Sequence, residues 1–261
     1  MTPGGNDVTT PLILDELTRG RVLEVAPHAT LVLPTAATEQ HGPHLPLATD
    51  CIIAQAIATG ASAIAAREVP VVVAPVLPFG NSNHHLIYTA LSLRTSTYVS
   101  VLTDLVDCAV KSGFRRLFLL NAHGGNDEAI RMVARDLVLR SDVAVGACSY
   151  WAIGKDASIR AGADPAWQLP GHSGGFETSL LMALRADLVQ SELRPKDVDH
   201  PRSISSAGIA DGLLVLRSGE WKRIDGYTDA PITSSASIGR QILEALYGEV
   251  GKAIVAFHRA V

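Results

Sequence analysis

Four short apolar runs mark out the first 150 residues and limit the folds open to this chain: Ala29–Pro34 (ATLVLP), Val69–Leu77 (VPVVVAPVL), Arg116–Asn121 (RLFLLN) and Val143–Tyr150. Each has strand length and ends at a polar or glycine-rich loop, the pattern of a strand buried on both faces. Between them lie three segments with the spacing of helices. Asp50–Ala66 is rich in Ala and Ile, with Thr49 or Asp50 as its N-cap. Thr95–Ser112 carries Val99, Leu102, Leu105, Val106, Ala109 and Val110, and Gly113 stops it. Asp127–Arg140 is the third. Strand and helix alternating at this spacing predict an α/β fold, with a mostly parallel sheet covered by helices on both faces. Such sheets bind ligands in the loops at the carboxyl ends of their strands. The polar loops at 38–50, 80–86 and 121–127 all follow strands, so one shared site is expected.

Beyond the fourth strand the pattern weakens. Residues 154–172 read as an irregular loop and Glu177–Leu184 as the start of a helix. Residues 194–232 read as loops with a short hairpin around Ser218–Gly219, and Ser235–Arg259 as a long terminal helix. No repeat or clear linker interrupts the chain, so residues 1–261 read as one domain. With 26 acidic against 22 basic residues, a net charge of −4 and no Lys/Arg run, the electrostatic footprint of a nucleic-acid binder is missing. No apolar stretch approaches the ~20 residues of a membrane span. Met1–Pro11 is polar, without the basic start and apolar block of a signal peptide. Cys51, Cys108 and Cys148 are odd in number and widely spaced, as expected of buried free thiols in a cytoplasmic protein.

Three segments carry chemistry. Thr38–Asp50 (TEQHGPHLPLATD) packs Glu39, His41, His44 and Asp50 around a glycine and two prolines. Carboxylates mixed with imidazoles suit zinc, manganese or a similar first-row ion. Glu39 and His41 are two apart, so in extended chain their side chains share a face. Asp50 can return to the same point at the start of the next helix, where its two oxygens could bridge two ions; taken alone, it is equally an ordinary cap. Asn121–Asn126 (NAHGGN) sets His123 directly after a buried strand, with glycines that allow close backbone approach. Gly171–Ser179 (GHSGGFETS) sets His172 among glycines and Glu177 at a helix start, where simple capping is the alternative reading. His84 and His85 are adjacent, and in extended chain only one of them would face inward.

These three motifs, in this order, resemble the creatininase (creatinine amidohydrolase) family over about residues 30–185, with PFGNSNHH and SGFRRLFLLN in weaker support. The resemblance implies a three-layer α/β/α sandwich and a metal-dependent amidohydrolase that cleaves a C–N amide bond of a small amide. It implies two divalent ions per chain, zinc and/or manganese with iron as a further candidate, and a homo-oligomer, hexameric in the well-known member. Glu39, His41, Asp50 and His123 match ligand positions, Asp50 as the bridge, and His172 matches the proton-transferring histidine. Coordination lowers the pKa of water from ~15.7 to about 7, so such a centre delivers hydroxide to an amide carbon at neutral pH. Two departures stand out. The family's last carboxylate ligand lies two residues after the histidine of the second motif, and here that position is Gly125; Glu177 is the expected replacement, over Asp127 or Glu128, with a role as base as its alternative. Trp151 and Trp167 lie where the family pocket has tryptophans, though in uncertain register. The NAHGGN form is more similar to mycofactocin-maturation peptidases and formamidopyrimidine deformylases. A peptidase of the same family and a non-catalytic metal-containing binding protein are the alternative readings.

Overall fold

The computed structural model describes residues 10–197 and 215–261. Along the chain run β1 (Leu12–Ile13), α1 (Arg19–Val25), β2 (Thr30–Thr35), α2 (Thr49–Ala65), β3 (Val71–Val73), α3 (Thr95–Lys111) and β4 (Arg116–Asn121). Then follow α4 (Asp127–Arg140), β5 (Ala144–Ser149), α5 (Tyr150–Arg160), α6 (Gly175–Leu184), α7 (Glu220–Arg223) and α8 (Ala236–Ala260). The strands form one sheet in the order β1-β3-β2-β4-β5, and every pairing is parallel.

Side chains along each strand alternate between two apolar cores. Val32, Val71, Val73, Phe118 and Leu120 face α2, α5, α6 and α8. Leu31, Leu33, Val72, Leu117 and Leu119 face α1, α3 and α4. Both faces are therefore covered, which is why the strands read as unbroken apolar runs, and the architecture is the expected three-layer α/β/α arrangement.

The connection through α2 leaves β2 towards one edge of the sheet, and the connection through α4 leaves β4 towards the other. Right-handed crossovers then require α2 and α4 to lie on opposite faces, as their separate cores confirm. The carboxyl ends of β2 and β4 thus flank the point where the winding reverses, and the loops after them open into one crevice.

Four sequence readings need correction. Residues 154–160 are helical, the greater part of α5, and not loop. The helix escaped notice because its buried residues are mostly small (Gly154, Ala157, Ser158), so its apolar stripe is faint. No hairpin turns at Ser218–Gly219; Gly219 sits at positive φ and starts α7, while residues 198–214 of the same stretch lie outside the described residues. The second apolar run pairs as a strand over only Val71–Val73, because Pro70 and Pro75 bound it and cannot donate to a ladder. All three cysteines are free, yet Cys108 is exposed rather than buried.

Gly239 places α8 directly on α6, where an added Cβ would run into the Ser179 carbonyl. Gly239→Ala is expected to cost about 1–3 kcal/mol from overpacking, more than the roughly 1 kcal/mol that better helix propensity returns. Urea unfolding would show this as a lower midpoint; a raised midpoint would mean that the two helices separate freely.

Candidate metal centre

Six side chains meet in the crevice, each set by a different local device. Past β2 the chain is extended, with Glu39 bridged to Ala90 and His41 to Leu45. Glu39 and His41 therefore share a face, as their spacing predicts. Gly42, at φ 62°, then turns the chain. Asp50 lies in the first turn of α2, where the helix dipole favours a carboxylate. His123 follows β4 and is clamped by Asn121, whose side-chain amide donates to the His123 carbonyl (2.7 Å) and whose oxygen accepts the His123 N–H (3.1 Å). Asn126 ties three loops: it donates to the Ala36 carbonyl and accepts from the Asn81 N–H. His172 precedes α6, and Glu177 lies in its first turn, accepting the Ser173 N–H at 2.6 Å. The N-terminus of α6 is anchored from the last quarter of the chain by Asp229, which accepts the Gly175 N–H at 2.8 Å.

The distances converge on two neighbouring points. One oxygen of Asp50 lies 3.1 Å from His41 Nε2, which is itself 3.8 Å from Glu177 Oε2. The other oxygen of Asp50 lies 3.2 Å from His123 Nδ1, which is 3.3 Å from Glu39 Oε1. His172 Nδ1 and His85 Nε2 each stand 3.5 Å from the same Glu39 oxygen. In each of three histidines the other ring nitrogen faces a backbone carbonyl: His41 Nδ1 that of Glu39, His123 Nε2 that of Asn81, and His172 Nε2 that of Gln40. A carbonyl only accepts, so in His41 and His123 these nitrogens carry protons and the nitrogens facing the carboxylates hold lone pairs whenever the rings are neutral; His172 Nε2 also lies 3.0 Å from the Gln40 amide nitrogen, a donor, so either tautomer of that ring finds a partner. Tying off the second nitrogen in this way is how proteins orient histidine ligands.

Glu39 is wholly buried, and neither of its oxygens, nor Oδ2 of Asp50, has a hydrogen-bond partner. A wholly buried carboxylate without hydrogen bonds, beside two further buried carboxylates, would be costly unless positive charge neutralised it. The donor set (carboxylate oxygens and imidazole nitrogens) fits a first-row divalent cation. Donor atoms in four sets, Glu39–His41–Asp50, His41–His172–Glu177, Glu39–His85–His172 and Glu39–His84–His123, come close enough to hold an ion.

The same crowding moves the ionisations. Burial depresses the His41 imidazolium, but Asp50, Glu177 and Glu39 outweigh it and raise its pKa to about 10. His123 is raised for the same reason, chiefly by Glu39 against burial. Burial, with Asp50 nearby, lifts Glu177 to about 8 despite His41. Burial and neighbouring histidines hold His172 and His85 well below the ordinary 6.5. Without added metal, folded His41 and Glu177 thus keep protons that the unfolded chain releases near 6.5 and 4.5. The stability due to His41 is complete below pH 6.5 and disappears as pH rises through about 10; that due to Glu177 disappears as pH rises through about 8. The unfolding midpoint measured in chelator should therefore fall steadily from pH 7 to 10. Saturating zinc should abolish the fall, because the ion replaces the protons.

Several positions behave differently from the sequence reading. Asn83–His85 form a short 3-10 turn, so His84 and His85 both approach the centre, and the extended-chain argument that only one could does not apply. His44 leaves the cluster, sharing a hydrogen bond with Thr178 at 2.8 Å. Asp127 is held by Arg131 and Ser149. Trp167 is buried, donating to Thr233, and Trp151 packs on the same apolar core. The indole at the histidines is Trp221 of α7, with ring centres 4.4 Å from His85, 5.1 Å from His172 and 5.4 Å from His84. Gln40 was also missed. Its amide nitrogen reaches the Gly226 carbonyl, His85 Nδ1 and His172 Nε2, and its oxygen accepts the Gly42 N–H. No local pattern marks Trp221 or Gln40, since apart from Gly42 the partners of Gln40 lie 45 to 186 residues away and Trp221 meets its histidines across the chain.

A family model described as creatinine amidohydrolase (Creatininase) matches residues 15–254. A mycofactocin precursor peptide peptidase from Mycobacterium tuberculosis is 31% identical over 232 residues, which is 83% of this chain and 81% of that protein. Among solved structures, a manganese creatininase is similar at a TM-score of 0.73 and 28% identity, over 94% of this chain and 98% of its own. A creatininase variant of zinc–zinc type is similar at a TM-score of 0.72 and 27% identity, over 94% and 97%.

Proposed function

The chain belongs to the creatininase family, and from that premise we propose that it is a metal-dependent amidohydrolase cleaving a C–N amide bond of a small amide, cyclic or linear. The observation that carries this reading is Glu39: a wholly buried carboxylate with both oxygens unpartnered, facing histidines whose far nitrogens are tied off.

Two ions per chain fit the two points of convergence. His41, Asp50 and Glu177 would hold one; Glu39, Asp50 and His123 would hold the other, with Asp50 shared through its two oxygens. Zinc or manganese suits these donors, with iron as a further candidate, and the zinc–zinc and manganese creatininases support that choice. Bound there, the ions would supply Lewis acidity and a nucleophile drawn from water at neutral pH. Glu39, Asp50 and Glu177 provide the negative charge that retains them. Glu177 gives up its proton to act as a ligand; as a base it would instead keep one oxygen free. With Nε2–H donated to the Gln40 carbonyl, His172 would take a proton at Nδ1 and return it to the leaving nitrogen. The rings of His84, His85 and Trp221 line the side from which water must be excluded.

Elemental analysis of purified protein, followed by turnover on cyclic amides, formamides and short peptides, tests this reading. Metal near two ions per chain with turnover of a small amide is expected. A chain that binds no zinc or manganese when both are supplied would overturn it. One observation favours a second reading, cleavage of a peptide: the similarity to the mycofactocin precursor peptide peptidase. Turnover confined to peptides in the same panel would select it. Stoichiometric metal with no turnover at all would instead point to a binding protein.

We also infer one domain over 1–261 and a cytoplasmic homo-oligomer, hexameric if it follows the family resemblance. Leu86, Ile87, Tyr88 and Leu91 are exposed together beside the centre, which supports burial of that loop against another copy. Among the described residues no helix is long and apolar enough to cross a membrane.

A further inference from the structure

We propose that His84 is a nitrogen ligand of the ion held by Glu39 and His123, so that this position is richer in imidazole than a carboxylate-completed one and favours zinc over manganese. The inference rests on the metal-centre reading above and concerns a residue to which that reading gives no ligand role.

Gly125 stands where the resemblance would put a carboxylate. No side chain fits there. A Cβ would run into the Asn81 carbonyl, and would lie 2.7 Å from His123 Nε2 and 3.2 Å from the His84 ring. The space is taken by the loop 81–85, held in place by its own contacts. Asn126 fixes the Asn81 N–H, Ser92 accepts from the Ser82 N–H, and the Asn81 carbonyl takes the proton of His123 Nε2. The same loop turns as a 3-10 helix through Asn83–His85 and delivers His84 in exchange.

His84 is placed as a ligand would be. One of its nitrogens lies within 4.8 Å of donor atoms on both Glu39 and His123. Its ring is parallel to that of His123, at 5° with centres 5.9 Å apart, and rests against Trp221. Among the described residues it makes no hydrogen bond. Glu39 supplies the second, independent sign of a cation here, with two unpartnered oxygens at zero exposure. His85 is the weaker candidate. Its Nδ1 meets the Gln40 amide nitrogen, a donor, so its proton sits on Nε2, the nitrogen that faces Glu39.

An imidazole in place of a carboxylate changes the chemistry of the position. Nitrogen donors suit zinc, whereas manganese prefers oxygen. It also removes one negative charge from a site that already holds three carboxylates.

Equilibrium binding of zinc and of manganese to full-length wild-type, His84→Ala, His84→Asp and His85→Ala proteins tests the proposal, with Co(II) absorption spectra reporting the ligand field. His84 is only partly buried, so both of its variants should fold. His84→Ala is expected to weaken one zinc per chain by at least tenfold, to leave manganese nearly unchanged, and to alter the cobalt d–d bands. His84→Asp should shift the zinc-to-manganese preference towards manganese, and His85→Ala should keep both ions. Wild-type protein that takes up none of these metals would overturn the metal centre and this inference with it. Wild-type uptake with unchanged zinc affinity and cobalt spectrum in His84→Ala would overturn this inference alone.

Discussion

Glu39→Gln is expected to leave the fold intact while removing bound metal and abolishing turnover. The substitution keeps the shape of a side chain that has zero exposure, so no cavity forms. The new amide nitrogen would face His123 Nδ1, His172 Nδ1 and His85 Nε2, and the first two of these can accept a hydrogen bond. What disappears is the charge that, on the proposed reading, would hold cations among the surrounding histidines. Outer partners of metal ligands typically cost ~10–100-fold when lost; loss of a charged ligand with no other partner should exceed that, bringing turnover to background. Two measurements separate this from misfolding. Added zinc should raise the thermal midpoint of wild type, since a ligand at 100 times its Kd contributes about 2.7 kcal/mol, and should not move the variant. Circular dichroism should be unchanged. A Glu39→Gln protein with wild-type metal content would show that the ions, where present, lie elsewhere.

The strands and the three chemical loops were legible because their signals are local. The buried strand at 30–35 was read one residue early, and 116–121 was read with its observed bounds. Position and residue type mark Glu39, His41, His44, Asp50 and His123, since a chain leaving a doubly buried strand has few reasons to carry acids and imidazoles, and the family resemblance narrows these to Glu39, His41, Asp50 and His123. The structure brings these last four together with His172 and Glu177, while His44 turns to Thr178. What could not be read depends on contacts across the chain. α5 hides because it presents small residues to α8. Trp221 and Asp229 lie in a stretch with no periodicity, yet one rests on the histidines and the other fixes the start of the helix bearing Glu177. The His84–His85 pair was misjudged for a local reason: alternation holds for extended chain and fails in a 3-10 turn, where consecutive side chains diverge by far less than 180°.

His172→Ala separates proton transfer from metal binding, the two roles open to a histidine at this place. Its Nδ1 faces Glu39 at 3.5 Å, and with His41 and Glu177 it forms one of the candidate donor sets, so ligation is a real competitor. The tie of Nε2–H to the Gln40 carbonyl serves either role. The number of other donors decides the expectation. Glu39, His41, Asp50, His123 and Glu177 already supply donors for two ions, and the His172 ring packs against His41, His85 and Trp221. The variant should therefore keep its metal and lose about 10²–10⁴-fold in kcat, the usual contribution of a positioned acid–base group. The loss should shrink for amides whose leaving nitrogen is weakly basic, such as anilides bearing a nitro group, because these depart without help from an acid. Metal loss in His172→Ala, with an equal defect across all leaving groups, would instead make this histidine a ligand and leave the leaving nitrogen to be protonated by Glu177.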